Sequence, residues 1–305
     1  RMERTLLNLP ELSLAKIVAY LGPNATINFA LSSPIVREFI KTLNLYVEFF
    51  SVEINNNRCV IRLKFFYSKK EFEWKFVPPT SCHHRTIIRK LNRKTALCQN
   101  PLKEMMKAAE WVTELIRFPI SNVHIWGPDF EGSADLFDWS AIQQCEGISM
   151  NLISTMNGNL ENFKDLEHLE LSGCSWFRAE HFRALEANRV SLYCLNFTVQ
   201  DVNTILRDWT RGSNAKLENL IVHSKEIDGR VPGQILEGLD VKPWNHEQRQ
   251  KIFPKEEPFQ SLNCEKAMDF ERADGLLASV IINDNEVEMV VWHKRFSDQE
   301  PMEED

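Results

Sequence analysis

Near the start of the chain, apolar residues recur at helical spacing: Leu14, Ile17, Val18 and Leu21 share one face. Gly22-Pro23 breaks that helix. A second short helix is predicted from about Thr26 to Leu31, with Asn24 as its cap. A third begins with Ser33 as N-cap and Pro34 at the first helical position. Its apolar face carries Ile35, Val36, Phe39, Ile40 and Leu43. None of the three is long enough to be stable alone, so they must pack on each other or on a partner. From Val47 the texture changes to β-branched and aromatic runs. Val47–Ile54, Cys59–Phe66 and Glu71–Val77 read as an antiparallel meander, with a turn at Asn55-Asn56-Asn57. Residues 81–103 then carry Arg85, Arg89, Lys90, Arg93, Lys94 and Lys103 without an acidic residue, as a basic connection would. An amphipathic helix follows over about 102–117, with Met105, Met106, Ala109, Val112 and Ile116 turned towards a core.

Beyond this helix the pattern apolar-x-x-apolar-x-apolar repeats. It occurs at Ile120/Val123/Ile125, Cys145/Ile148/Met150, Leu166/Leu169/Leu171, Ala187/Val190/Leu192 and Leu217/Leu220/Val222, with starts 21–30 residues apart. Such a period belongs to leucine-rich repeats, in which each unit supplies a short parallel strand and a helix. The third unit is the fullest, ending at Cys174, where Asn or Cys usually turns the chain. Thr198–Trp209 is the clearest connecting helix. Thr198 and Asp201 form a capping box, and Val202, Ile205, Leu206 and Trp209 form the buried stripe. A final hairpin is predicted from Leu276–Ile282 and Val287–Trp292 around Asn283-Asp284-Asn285. The fold class is therefore α/β. Three helices occupy 1–46, a β meander 47–80, a basic connecting segment 81–101, a leucine-rich-repeat-like domain with small flanking antiparallel strands 102–295, and an acidic tail 296–305.

Composition narrows the setting. Of 305 residues, 43% are hydrophobic and 26% charged, enough to build a sizeable core. Net charge is −7, which argues against a nucleic-acid footprint spread over the chain. No apolar run approaches the ~20 residues of a membrane span, and the opening residues do not read as a signal peptide. Seven cysteines, at 59, 82, 98, 145, 174, 194 and 264, follow no disulfide framework. Reduced thiols in a cytoplasmic or nuclear setting fit them better, which makes the sequons at Asn24 and Asn196 chance matches.

No catalytic, cofactor-binding or metal site is expected. There is no G-x-S-x-G elbow and no phosphate-binding glycine loop. Gly173-Cys174-Ser175-Trp176 faintly resembles a cysteine-protease stretch, but Cys174 already serves the repeat's turn. Cys82, His83 and His84, with Cys98 downstream, lack the C-x-x-C pairing of a zinc site and read as a polar loop. The basic run lacks an ordered aromatic platform for bases, so a solvated loop or contact with an acidic target is favoured over nucleic acid.

The opening LLNLPELSLAKIVAYLGPNATINFALSSPIVREFI resembles an F-box, carried by Leu9-Pro10, Ile17-Val18, Leu21, and Leu31 with Ser32-Ser33. ILEGLDVKPWNHEQR (235–249) and DFERADGLLASV (269–280) resemble the F-box-associated domain of the second type found in the large nematode F-box families. Together these likenesses extend over about 5–46 and 110–292. They imply a substrate-recognition adaptor of a cullin-based, SCF-type ubiquitin ligase, with no catalysis of its own. Leu9, Pro10, Ile17, Val18, Leu21 and Leu31 would meet a small Skp-type linker that bridges to the cullin scaffold, while the C-terminal domain holds a target protein. Pro243, Trp244 and Arg249 are motif positions read as packing residues. The alternative is a leucine-rich-repeat-like interaction module not coupled to ubiquitination.

Overall fold

In the computed structural model, residues 10–55, 58–79, 93–127, 136, 138–152, 166–193, 196–230, 232–255 and 261–296 are described. By contacts the chain divides into two units, Arg1–Gly158 and Asn159–Asp305.

In the first unit, Gly22 sets the path of the N-terminal helices. Helix α1 (Glu11–Leu21) ends where the Gly22 N–H meets the carbonyls of Ala19 and Val18 at 3.1 and 3.3 Å. Gly22 sits at φ 85°, ψ 167°, a region that is essentially glycine's alone. Pro23 then opens α2 (Pro23–Ser32) at once. The second helix thus starts earlier than Thr26, and Asn24 lies inside it instead of capping it, because proline suits the first helical position. Ser33 caps α3 (Pro34–Thr42) as expected, its Oγ accepting from the Val36 N–H at 3.4 Å. A Cβ on Gly22 would lie 2.7 Å from Ser68 Oγ. Gly22→Ala is therefore expected to cost about 1–3 kcal/mol, read as a lower urea midpoint; an unchanged midpoint would refute the strain.

The meander forms from β1 (Val47–Asn55), β2 (Arg58–Phe65) and β3 (Phe72–Val77), with Val52 opposite Ile61 and Ile61 opposite Trp74. It does not stand by itself. Strand β4 (Arg93–Leu97), inside the expected basic connection, runs parallel to β3. Helix α4 (Pro101–Ile116) packs on β2 and β3, with Met105, Ala109 and Val112 buried. Strand β5 (Asn122–Gly127) then adds parallel to the free side of β1, with Val123 beside Val52. A short helix α5 (Ser140–Gln143) leads to β6 (Gly147–Leu152), parallel to β5. The strand order is β6-β5-β1-β2-β3-β4. Phe50, Ser51 and Val52 are consecutively buried, as a central strand covered on both faces requires.

In the second unit, β7 (Leu166–Ser172), β8 (Ala187–Tyr193) and β9 (Asn219–His223) are parallel, with Leu169, Val190 and Leu220 in register. A 3-10 helix (Ala179–Ala184) and helix α6 (Val199–Thr210) connect them. The Thr198–Asp201 capping box is present, and Val202, Ile205, Leu206 and Trp209 are buried. The remaining strands are β10 (Lys242–Pro243), β11 (Ile252–Phe253), β12 (Leu262–Asn263), β13 (Met268–Glu271), β14 (Leu277–Asn283) and β15 (Glu286–Trp292). Strand β15 pairs antiparallel with β9, giving the order β10-β13-β14-β15-β9-β8-β7; β11 and β12 form a separate small hairpin. The chain is mixed α/β with a mostly sheet core. No described helix is long and apolar enough to cross a membrane.

Candidate functional site

Helix α1 is apolar on two sides. Leu14, Ala15 and Ala19 are buried. Ile17 and Leu21 project about 200° away from Ala15 and Ala19 respectively, and they are 38% and 54% exposed. Small alanines let α1 pack closely, which leaves the larger side chains outside. Leu12 and Tyr20 are also exposed. In α2, Thr26, Ile27 and Ala30 face inward while Phe29 and Leu31 face solvent; Leu31 is 49% exposed. Ile40 of α3 is buried, but Ile35, expected on its packed face, is exposed. Of the sequence-derived docking residues, Pro10, Ile17, Leu21 and Leu31 are exposed and Val18 is half-buried. Leu9 lies outside the described residues. Leu12, Tyr20 and Phe29 were not singled out by the sequence pattern, although each sits within the segment that carries it. Lys41 of α3 pairs with Glu114 of α4, which raises the lysine's pKa and lowers the carboxylate's.

Two of the motif positions of the second unit, Trp244 and Arg249, meet in one cluster with Arg249 at its buried centre. Arg249 is 0% exposed. Its Nε and Nη2 donate to the two carboxylate oxygens of Asp269 at 2.9 and 2.8 Å, and its remaining donors reach the carbonyls of Cys264 and Gln250 at 2.8 and 3.0 Å. The guanidinium lies over the Trp292 ring, 4.9 Å from its centroid. Ser279 Oγ donates to Asp269 at 2.7 Å and accepts from Trp292 Nε1 at 2.7 Å. Trp244 Nε1 donates to the Arg249 carbonyl at 3.2 Å, and Pro243 lies exposed in β10. Arg249 comes from one quoted motif, Asp269 and Ser279 from the other. The turn of that second motif is held by Arg272, whose hydrogen bonds bring the Asp274 carboxylate down to about 2. Because the folded pKa is depressed, any stability from this pair is present above the ordinary carboxylate range and lost as pH falls through about 2.

On the exposed side of the parallel strands, the Tyr193 ring stacks on His223 at 4.7 Å, and His223 Nε2 lies 3.0 Å from Glu286. Cys174 is buried in the turn after β7, with Sγ 3.4 Å from the Ser172 carbonyl. Cys82, His83, His84, Cys194 and the basic residues Arg85, Arg89 and Lys90 lie outside the described residues. Among the described residues no group of three or more His, Cys, Asp or Glu side chains is placed to hold a metal. Burial pushes the thiols of Cys59 and Cys145 up to about 12 and that of Cys264 up to about 11. Since the thiolate is the reactive form, iodoacetamide at neutral pH is expected to leave these three unmodified in the native chain and to label them in denaturant. Peptide mass mapping checks this, and rapid native labelling of Cys59 would contradict the burial.

The family described as F-box associated matches residues 159–222, the stretch that contains β7, β8, α6 and all but the last residue of β9. The match is narrower than the quoted likeness: motifs 235–249 and 269–280 lie beyond it. One uncharacterized protein of Caenorhabditis elegans is 26% identical over 145 residues, 45% of this chain and 33% of that protein. A second from the same organism is 28% identical over 135 residues, 43% of this chain and 38% of its own length. The C. elegans E3 ubiquitin-protein ligase hecw-1 is 25% identical over 134 residues, 44% of this chain and 10% of that protein. The chain thus spans about a third of the length of the first two of these relatives. No solved structure matches. The chain is mixed α/β, and its residues 159–222 are similar to the family described as F-box associated.

Proposed function

We propose that the chain is a non-catalytic substrate-recognition adaptor of a cullin-based, SCF-type ubiquitin ligase, working in the cytoplasm or nucleus. Helices α1–α3 act as the F-box and dock onto a Skp-type linker. The strand–helix series of the second unit, read as leucine-rich-repeat-like, holds the target protein. The observation that carries this reading is the outward face of α1, where Ile17 and Leu21 stand in solvent within the segment that resembles an F-box. A few Leu or Ile anchors, each contributing about 1.5–3 kcal/mol when fully buried, sustain a specific interface. The mechanism is proximity: tethering raises the local concentration of the target's lysines near activated ubiquitin, and the transfer chemistry happens on other proteins. The F-box-associated match supports the domain's role, and kinship with a protein named as an E3 ubiquitin-protein ligase supports the setting.

Co-purification of the full chain with a nematode Skp-type linker tests the proposal. A chain that is folded but captures no linker would defeat it. The second reading, an interaction module without ligase attachment, is favoured by the fact that the family match covers 159–222 and not the helices. It predicts target binding with no cullin in the complex.

A further inference from the structure

We infer that the linker-docking surface continues beyond the three helices onto the turn between β2 and β3, where Phe66 and Tyr67 add apolar contact and Lys69 and Lys70 draw an acidic edge of the linker. The inference rests on the docking role proposed for α1–α3.

Turns usually carry small or polar residues that solvate well. This one presents two aromatics in sequence, Phe66 at 65% and Tyr67 at 48% exposed. Neither is loosely placed. The Phe66 N–H donates to the Tyr46 carbonyl at 3.0 Å, and the Tyr67 ring meets Tyr46 edge-on at 5.3 Å. Ser68 is buried and braces the turn, its Oγ donating to the Lys70 carbonyl at 3.1 Å. An ordered backbone therefore holds these aromatics in water.

The turn also abuts the corner of the helices. Ser68 Oγ lies 2.7 Å from the point where a Cβ on Gly22 would stand, and Gly22 directly follows the exposed Tyr20 and Leu21. Along the chain, the Phe66 Cα is within about 8 Å of that of Ser68, and the Leu21 Cα within about 4 Å of that of Gly22. A standard interface of about 800 Å² per partner is roughly 30 Å across. The turn therefore lies within the width of a partner's footprint that covers Leu21.

Charge selects the occupant. The chain as a whole carries −7, yet Lys16 of α1 and Lys69 and Lys70 of the turn are exposed, with no ion-pair partner among the described residues. An apolar surface rimmed by unpaired ammonium groups fits a linker whose contact helix is apolar and flanked by carboxylates.

Binding of the full chain to a purified nematode Skp-type linker decides the matter. Phe66→Asp and Phe66→Ala should each weaken binding by about tenfold or more, with the thermal midpoint of Phe66→Ala unchanged. Lys69→Glu with Lys70→Glu should slow association and flatten its dependence on salt. If both Phe66 variants bind like the parent while Ile17→Glu does not, the extension is overturned and the docking role stands. If the parent chain captures no linker, both are overturned.

Discussion

Arg249→Met is expected to lower the unfolding free energy of the chain by about 3–5 kcal/mol. The guanidinium is fully buried, and its bonds to Asp269, Cys264 and Gln250 replace the water it has lost. Removing it leaves the Asp269 carboxylate buried with Ser279 as a remaining donor, and an unpaired buried charge is costlier than a missing contact. Arg249→Lys should recover little, because an ammonium cannot span both carboxylate oxygens and two carbonyls in one plane. Arg249→Met combined with Asp269→Leu should recover much of the loss, since replacing both partners removes the orphaned charge. Urea unfolding of the four proteins measures this. A single variant within 1 kcal/mol of the parent would show that the pair does not hold the domain.

Ile17→Glu should abolish linker capture, raising Kd by about 100-fold or more, the worth of a central anchor. The substitution removes apolar area from the middle of the outward α1 face and forces a carboxylate out of water on docking. Ile17 is already 38% exposed in the free chain, so the unfolding midpoint should move little. That separation matters, because Leu14→Glu, three residues earlier and buried, should unfold the helices instead and prove nothing about docking. Capture by Ile17→Glu at the parent's level would remove the docking assignment.

The parts of this fold that were legible in the sequence are those encoded locally. Leu169/Leu171, Val190/Leu192 and Leu220/Val222 lie on buried strand faces as their spacing predicts, because the alternation is written locally within each strand. The Thr198–Asp201 box and the Ser33-Pro34 start are likewise short-range signals. What escaped depends on distant partners. Val47–Ile54 reads as a meander strand, and nothing within it announces that β5 will add along its other side. Arg249 was legible as a motif position, but its carboxylate partner lies 20 residues away across a hairpin. Helical spacing grouped Leu14 with Ile17. Close packing instead selected the side bearing Ala15 and Ala19, and this divided the expected face into a core half and a solvent half. Phe66 was counted as the end of a strand, and its exposure at a turn was not visible from alternation.

The reversal at β15 has a consequence for how copies of the chain treat one another. A row of parallel strands ends in a bare rim of amide and carbonyl groups, onto which a neighbouring molecule can zip. Here β15 runs the opposite way along β9, β14 and β13 follow, and the row finishes at β10, only two residues long. So short a rim gives an incoming strand little to grip. The antiparallel strands beyond β9 thus act as a stopper that discourages runaway stacking between copies.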